Sequence, residues 1–189
     1  EKLRKDIIAS LKDNFDRHGI TAEINEATGE VILPFDQAYF DFDSAALKPE
    51  MKAYLQKIIP VYSDSLFGED NIYNYIKSIE VIGYASPIYQ GKYVDPHSLS
   101  KEAQEALSYN MDLSYRRARS IFKYILDQAN MDFNSQKDLM LYLKVTGRSY
   151  LESAPAGYKE IDQMGMEEFC RQYDCEKLQR AVVRFNLVE

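Results

Sequence analysis

The sequence predicts an α/β (α+β) domain in which helices and a β-sheet form a layered sandwich. Three segments have the patterning of buried strands, with apolar residues at every second position: residues 79–83, 141–146 and 181–187. Segments with apolar residues at helical spacing lie between them and would supply crossover connections. Because 46% of the 189 residues are hydrophobic, the chain is long and apolar enough to fold around one full core.

The chain opens with an amphipathic helical pattern. Its apolar residues recur at helical spacing and end before His18 and Gly19, which form a usual C-terminal stop. We therefore predict a linker helix over residues 1–19, followed by the domain itself over residues 20–189.

Two strands and a second helix are predicted next. Residues 20–24 and 31–35 have strand character and flank a turn at residues 26–29. Pro49 suits the first position of a helix, which we expect to extend to about Tyr62. The buried face of that helix would consist of Met51, Leu55, Ile58 and Ile59.

Charge and hydropathy exclude two classes of function. The net charge of −7 argues against nucleic acid as a partner, because neutralising phosphates requires a basic surface. No apolar run approaches the ~18–20 residues of a membrane span, and no signal peptide is visible. Since the chain begins at Glu1 without an initiator methionine, we interpret it as the soluble portion of a larger protein.

Known catalytic motifs are missing from the sequence. It contains no G-x-S-x-G, no H-E-x-x-H and no P-loop, so we predict that the protein is not an enzyme and holds no cofactor and no metal. Asp41 and Asp43 would share one face of a strand, but cap or turn roles are favoured over a paired-carboxylate catalyst.

The two cysteines, Cys170 and Cys175, are five residues apart. This spacing does not match a zinc motif, and no histidine lies nearby to complete one. The pair could form a short-loop disulfide in an oxidising compartment, and two unpaired buried thiols are the alternative. A disulfide here would contribute on the order of 2 kcal/mol and would hold the loop before the last strand.

Residues 109–118 (YNMDLSYRRA) form the most informative segment. An apolar stripe at helical spacing begins at Leu113, and Ser114 would be a suitable N-cap for it. Arg117 would then lie in the first turn, where the helix dipole disfavours a cation by roughly 0.3–1 kcal/mol. Free backbone N–H groups beside a guanidinium would form a good site for a carboxylate. The alternative is that Arg117 pairs with an acid of this acid-rich chain.

The segment resembles the N-x-x-L-S-x-x-R-A signature of OmpA-like domains. These are the modules with which outer-membrane proteins, lipoproteins and MotB-type motor stators hold peptidoglycan. Further pieces resemble the family pattern in the same order and extend the resemblance over residues 30–189: YFDFDSAALKPE at 39–50, IEVIGYAS at 79–86, VTGR at 145–148 with Pro155, and QRAV at 179–182.

The resemblance also has implications for the architecture. It implies a two-layer sandwich with a mixed β-sheet and helices packed on one face. Relative to the usual domain, the chain has insertions at about 63–75, 87–108 and 154–172. The second and third of these are more MotB-like than OmpA-like, and residues 101–107 within the second have a helical pattern.

The resemblance also implies a ligand. In the family, an aspartate that ends the G-H-T-D strand and the arginine of the signature hold the zwitterionic end of diaminopimelate in the peptidoglycan stem peptide. Asn110, Leu113 and Arg117 match the family, and Tyr109 would add an aromatic wall. Ser86 stands in place of the aspartate.

The missing aspartate leaves the ligand's ammonium group without a counter-charge, which costs several kcal/mol when the group is buried. Asp95 and Asp112 are the candidates for a substitute. If neither supplies it, the ligand has changed or its binding has weakened.

The function that the resemblance implies is non-catalytic peptidoglycan binding. The chain would be the periplasmic domain of a homodimeric, single-pass inner-membrane protein that anchors a MotAB-like, ion-driven complex to the cell wall. Its MotA-like partner would bind through the membrane segment that precedes this chain. Within the class, the chain is most similar to the B subunit of Zorya anti-phage systems.

Two alternatives stay open beside the stator. One is a dimerisation or partner-interaction module that kept the fold and lost its affinity for peptidoglycan. The other is a generic wall anchor of an outer-membrane protein or lipoprotein.

Overall fold

A computed structural model describes residues 1–33, 40–41, 43–68, 72–151 and 158–189. The end of the predicted strand 31–35, residues 39 and 42 of the segment 39–50, part of the insertions 63–75 and 154–172, and Pro155 lie outside the described residues. The helices are α1 (Lys2–Arg17), α2 (Pro49–Phe67), α3 (Lys101–Leu126), α4 (Gln136–Tyr142), α5 (Met166–Tyr173) and α6 (Cys175–Leu178). The strands are β1 (Glu23–Ile24), β2 (Val31–Ile32), β3 (Ile76–Gly83), β4 (Ile88–Tyr89), β5 (Lys92–Tyr93), β6 (Leu143–Gly147) and β7 (Ala181–Leu187).

Five of these strands form one mixed sheet in the order β1-β2-β7-β3-β6. The central strand β3 pairs in parallel with β6 and antiparallel with β7. On the other side of β7, β2 and then β1 continue the sheet in antiparallel pairing. The parallel β3–β6 pair requires a crossover, and α3 provides it, as the order of elements predicts.

The helices pack on one face of the sheet. Ile79 and Val81 of β3 and Val183 and Phe185 of β7 join one core with apolar residues of α1, α2 and α3. The opposite face carries polar side chains, where Arg184 forms ion pairs with Glu30 at 3.2 Å and Glu80 at 3.0 Å. The alternation along each strand thus separates the helical layer from a partly polar face, which confirms the predicted two-layer α/β fold.

Helix α1 contributes to this same core. Ile7, Ile8, Leu11 and Phe15 are buried, and the helix ends before Gly19, which adopts a left-handed conformation with φ of 61°. The apolar stripe of the opening segment therefore packs on the domain, with α2 as its main contact.

Some predicted boundaries shift in the structure. Helix α2 continues to Phe67 despite Pro60, so the predicted insertion at 63–75 begins as helix. Strand β6 begins at Leu143, because Leu141 belongs to α4 and is 70% exposed. The strand that the alternation predicts from residue 141 therefore starts two residues too early, because Leu141 and Tyr142 are the last residues of α4.

The prediction that Ser114 caps a helix is wrong. Helix α3 is continuous from Lys101 to Leu126, and its N-cap is Ser100, whose Oγ accepts a hydrogen bond from the Ala103 backbone N–H at 3.1 Å. No glycine or proline interrupts this stretch, and its buried stripe extends back through Ala106 and Ala103. The second half of the insertion at 87–108 is thus the start of α3, as the helical pattern at 101–107 indicated.

Candidate ligand-binding site around Arg117

Arg117 lies in the middle of α3 and is 2% exposed. Its guanidinium donates three hydrogen bonds: from Nε to the Ser44 carbonyl oxygen at 2.9 Å, from Nη1 to Oε1 of Gln179 at 2.8 Å, and from Nη2 to the Asp41 carbonyl oxygen at 3.3 Å. The Phe40 ring lies 5.1 Å from the guanidinium carbon. The segment before α2 and Gln179, at the C-terminal end of α6, therefore enclose the cation.

All three acceptors that the described residues provide are neutral, so in that part of the chain Arg117 forms no ion pair with an acid. Within the described residues, no carboxylate oxygen lies within 4 Å of the guanidinium. Burial lowers the pKa of Arg117 to about 10, and the charge of Asp43 opposes that shift. The cation is desolvated, and the described ranges provide it with no direct counter-ion.

Because Arg117 is mid-helix, the expected carboxylate site at a helix start is also wrong. The backbone N–H groups near Arg117 are inside the helical hydrogen-bond ladder and are not free. An anion bound at this position would therefore contact the side chain of Arg117 and not the helix backbone.

Ser114 holds α3 against the ends of two strands. Its Oγ accepts a hydrogen bond from the Ser149 backbone N–H at 3.0 Å and donates to the Met111 carbonyl oxygen at 3.0 Å. A Cβ on Gly83 would lie 2.1 Å from the Ser114 carbonyl oxygen, and one on Gly147 would lie 2.8 Å from the Tyr115 nitrogen. Both glycines permit a close approach of strand to helix.

Asn110 and Leu113 have structural contacts. The Asn110 amide is buried and donates to the Ala106 carbonyl oxygen at 3.1 Å and to the Ile88 carbonyl oxygen at 3.3 Å, which attaches β4 to α3. Leu113 is buried. Ser86 is buried as well, just after β3, where the Ala85 N–H donates to the Ser149 carbonyl oxygen at 2.8 Å.

A pocket of about 270 Å³ lies beside this helix face and is lined by Asp43, Ile88, Tyr89, Gln90, Gly91 and Tyr109. Tyr109 is 37% exposed, and its ring centre lies 5.6 Å from that of Tyr89. Burial, followed by the hydrogen bond and charge of the neighbouring Asp43 carboxylate, raises the pKa of the Tyr109 hydroxyl. The charge of Asp43 also opposes the lowering of the Arg117 pKa, although Arg117 is not among the described residues that line the pocket.

The two acids expected to replace the missing aspartate lie elsewhere. Asp112 is exposed and pairs with Arg116 at 2.8 Å. Asp95 is buried, and its Oδ1 accepts from the backbone N–H of His97 at 3.0 Å and contacts the His97 ring nitrogen Nδ1 at 2.8 Å. Neither carboxylate is among the described residues that line the pocket.

The sequence predicts only a cap or turn role for Asp43. It does lie in a turn, with φ of 55°, between the exposed Asp41 and the start of α2. Aspartate is one of the few residues that tolerates this left-handed conformation. The available signal was its position in the segment FDFDSAALKPE, but spacing alone does not show that this turn reaches α3.

The second and third insertions meet and support the wall of the pocket. The β4–β5 hairpin turns through Gln90 and Gly91, both with positive φ. The Met166 N–H donates to the Gly91 carbonyl oxygen at 2.8 Å, and the Phe169 ring stacks on Tyr93 at 4.8 Å. Helix α5 thus packs directly on the hairpin that contributes Tyr89 to the pocket.

Cys170 and Cys175 form a disulfide, which confirms the predicted pair. The bond joins α5 to α6, and Cys175 packs in the small apolar cluster around Phe169, Tyr93 and Ile88. The disulfide therefore belongs to the layer that supports the hairpin.

In the described part of the chain, no three His, Cys, Asp or Glu residues are arranged to hold a metal ion. Across the same ranges, no helix has both the length and the apolar character needed to span a membrane.

The fold is that of MotB-like domains, which confirms the resemblance to the OmpA-like (OmpA/MotB) class. A protein from Desulfovibrio vulgaris described as MotB-like superimposes with a TM-score of 0.54 at 12% identity, over 99% of this chain and 96% of that one. Neither a protein-family model nor a curated protein sequence matches the chain.

Two other solved structures are similar. The cell wall anchor of the T6SS from Pseudomonas aeruginosa has a TM-score of 0.47 and 17% identity, and the match covers 98% of this chain and 99% of the anchor. The OmpA-like domain of FopA1 from Francisella tularensis subsp. tularensis SCHU S4 has a TM-score of 0.41 and 20% identity, over 89% and 82% of the two chains.

Proposed function

We propose that this domain binds peptidoglycan without catalysis and that Arg117 binds a carboxylate of the stem peptide, at its diaminopimelate end. The observation that carries the proposal is the buried Arg117 guanidinium, whose described acceptors are all neutral. A desolvated cation gains most from a charged acceptor, and a carboxylate is the anionic group that stem peptides offer. Anchoring to the cell wall follows from such binding.

The guanidinium retains donors for a ligand. Three of its five N–H groups form the hydrogen bonds to Ser44, Gln179 and Asp41. One N–H on each terminal nitrogen is left, so far as the described residues show, and these two could bind one carboxylate in a bidentate manner. The segment around Phe40 and Asp41 covers the guanidinium, so a ligand must displace part of it.

Binding to purified sacculi tests this function. We expect Arg117→Lys to reduce retention about tenfold, because lysine keeps the charge and loses the planar fork. The matched control is Arg116→Lys, which changes an exposed arginine one position away on the same helix. Circular dichroism and thermal unfolding would verify that both variants fold. Equal retention of wild type, Arg117→Lys and Arg117→Ala would refute the proposal.

The proposal extends to the membrane complex in which this domain would act. We infer that the domain is the periplasmic part of a homodimeric, single-pass inner-membrane protein and anchors a MotAB-like, ion-driven complex, with a MotA-like partner bound through a segment N-terminal to this chain. The MotB-like fold supports this, and the Cys170–Cys175 disulfide suits an oxidising periplasm. The long insertions that carry this disulfide and the pocket wall favour the B subunit of a Zorya-type defence complex.

A second candidate is a dimerisation or partner-interaction module without peptidoglycan affinity. Two observations favour it: Ser86 is a buried neutral residue where the resemblance requires an acid, and Arg117 is covered by the segment before α2. This candidate predicts that wild-type protein fails to sediment with sacculi and still forms a dimer by light scattering.

A further inference from the structure

We propose that Gln179 is a positioning residue for Arg117, and that its neutral amide keeps the charge of the guanidinium available to a ligand carboxylate. Gln179 holds one terminal nitrogen of Arg117 through a hydrogen bond, and the ligand would bind to the remaining donors. The inference rests on the proposed function, because it concerns the same guanidinium. It adds a residue from outside α3 to the site.

In the described part of the chain, the side chain that accepts a hydrogen bond from Arg117 is that of Gln179. Its Oε1 lies 2.8 Å from Nη1, whereas Ser44 and Asp41 accept through their backbone carbonyl oxygens. Every residue has a backbone carbonyl, so substitutions at positions 44 and 41 leave those acceptors neutral. At position 179, by contrast, the residue type determines whether Arg117 meets a neutral or a charged acceptor.

The backbone holds Gln179 in place on both sides. Gln179 is the C-cap of α6, and its N–H donates to the Cys175 carbonyl oxygen at 3.1 Å. Cys175 is buried and is joined to Cys170 of α5 by the disulfide. Strand β7 begins two residues after Gln179, at Ala181. The half-buried amide therefore reaches Arg117 from a fixed position between a helix and the sheet.

The neutrality of this amide matters because Arg117 is a buried cation. An amide oxygen orients the guanidinium and leaves its charge uncompensated. Glutamate has the same number of heavy atoms as glutamine, and at position 179 it would place a carboxylate against Nη1. The resulting ion pair would satisfy the cation within the protein. A ligand carboxylate would then be repelled by a like charge and would gain little from Arg117.

Gln179→Glu is the informative variant, because it should change stability and binding in opposite directions. The new carboxylate pairs with the buried guanidinium, so we expect the midpoint of urea unfolding to rise. Retention on purified sacculi should fall about tenfold, because the ligand carboxylate has to compete with this internal pair. A residue with a merely structural role would lose stability and binding together.

Two further variants separate loss of the acceptor from gain of a charge. Gln179→Met removes the acceptor and adds no charge, so the urea midpoint should fall while retention stays within about twofold of wild type. The matched control for charge is Gln172→Glu, because Gln172 is an exposed residue of α5. It adds the same negative charge to this acidic chain and should match wild type in both measurements.

Equal retention of Gln179→Glu and wild type overturns the inference. An equal loss of retention in Gln179→Glu and Gln179→Met, with lower urea midpoints in both, overturns it as well. In either case the wall-binding function survives, provided that wild type is retained better than Arg117→Lys. If wild type is not retained on sacculi, the proposed function fails, and this inference fails with it.

Discussion

Ser114 links the helix that carries Arg117 to the ends of β3 and β6. The Ser149 N–H donates a hydrogen bond to the Ser114 Oγ, which fixes the segment after β6. Because Gly83 has no Cβ, β3 can approach the helix backbone at Ser114. In the signature that this segment resembles, the serine stands three positions before the arginine. In this structure, Ser114 positions the helix against the ends of the two strands.

Gly83→Ala tests the contact. The added Cβ would meet the Ser114 carbonyl oxygen at 2.1 Å, and backbone on both sides limits relaxation, so we expect destabilisation by about 3 kcal/mol, the upper end of the usual range for overpacking. Gly165→Ala is the matched control, since a Cβ there has no atom within 4 Å and its φ is −60°. Urea unfolding monitored by circular dichroism measures both. Equal midpoints for the two variants would contradict the close approach.

At the scale of elements, the insertions are the part of the chain that shapes the pocket. Helix α5 packs on the β4–β5 hairpin through the Met166–Gly91 hydrogen bond and the Phe169–Tyr93 stack. Helix α3 contacts the hairpin through Asn110, whose amide donates a hydrogen bond to the Ile88 carbonyl oxygen. A two-stranded hairpin alone is marginal in water, so these contacts determine whether Tyr89 faces the pocket.

Removal of the Cys170–Cys175 disulfide should loosen this support. Closing so short a loop contributes about 2 kcal/mol in the chain-entropy model, and the loss should be local to α5, α6 and the hairpin. We expect faster hydrogen exchange at the Tyr93 and Met166 amides after reduction, with the β3 amides unchanged. The Cys170→Ser/Cys175→Ser variant should behave like the reduced protein and show no response to reductant. Uniform protection before and after reduction would show that the disulfide does not support the hairpin.

The sheet and its helical layer could be predicted because their signals are local. Ile79 and Val81, and later Val183 and Phe185, alternate with outward residues in a period that only a strand explains. The start of α3 could not be predicted in this way, because Ser114 is as good a cap as Ser100 when only neighbouring residues are considered. The bond from Ser149, a residue 35 positions away, occupies the hydroxyl that a cap would have used.

The same distinction between local signals and long-range contacts applies to the candidate site. Asn110 and Arg117 are seven residues apart and share the buried face of one helix, which the sequence spacing indicates. The pocket combines a turn before α2, a hairpin and that helix, and the turn alone is 66 residues from Tyr109. The position of Asp43 at the pocket could not be predicted, because such proximity arises from tertiary packing, which spacing does not encode.

The net charge of −7 shapes binding at the scale of the whole molecule. Peptidoglycan carries carboxylates, so an acidic domain is repelled by the wall at long range, and the binding that we propose must come from local contacts around Arg117. Long-range repulsion is screened by salt over about 10 Å at 0.1 M, whereas contacts in an enclosed site are screened much less. The two effects therefore separate when ionic strength is varied.

We expect retention on sacculi to rise about twofold when ionic strength increases from about 0.01 to about 0.15 M, because screening removes the repulsion first. A basic protein bound through general attraction should show the opposite trend on the same sacculi and serves as the control. Arg117→Lys should stay weakly bound at both ionic strengths, since its defect is in the local contact. A steep fall in wild-type retention with salt would show that exposed surface charges, and not the enclosed site around Arg117, hold the domain to the wall.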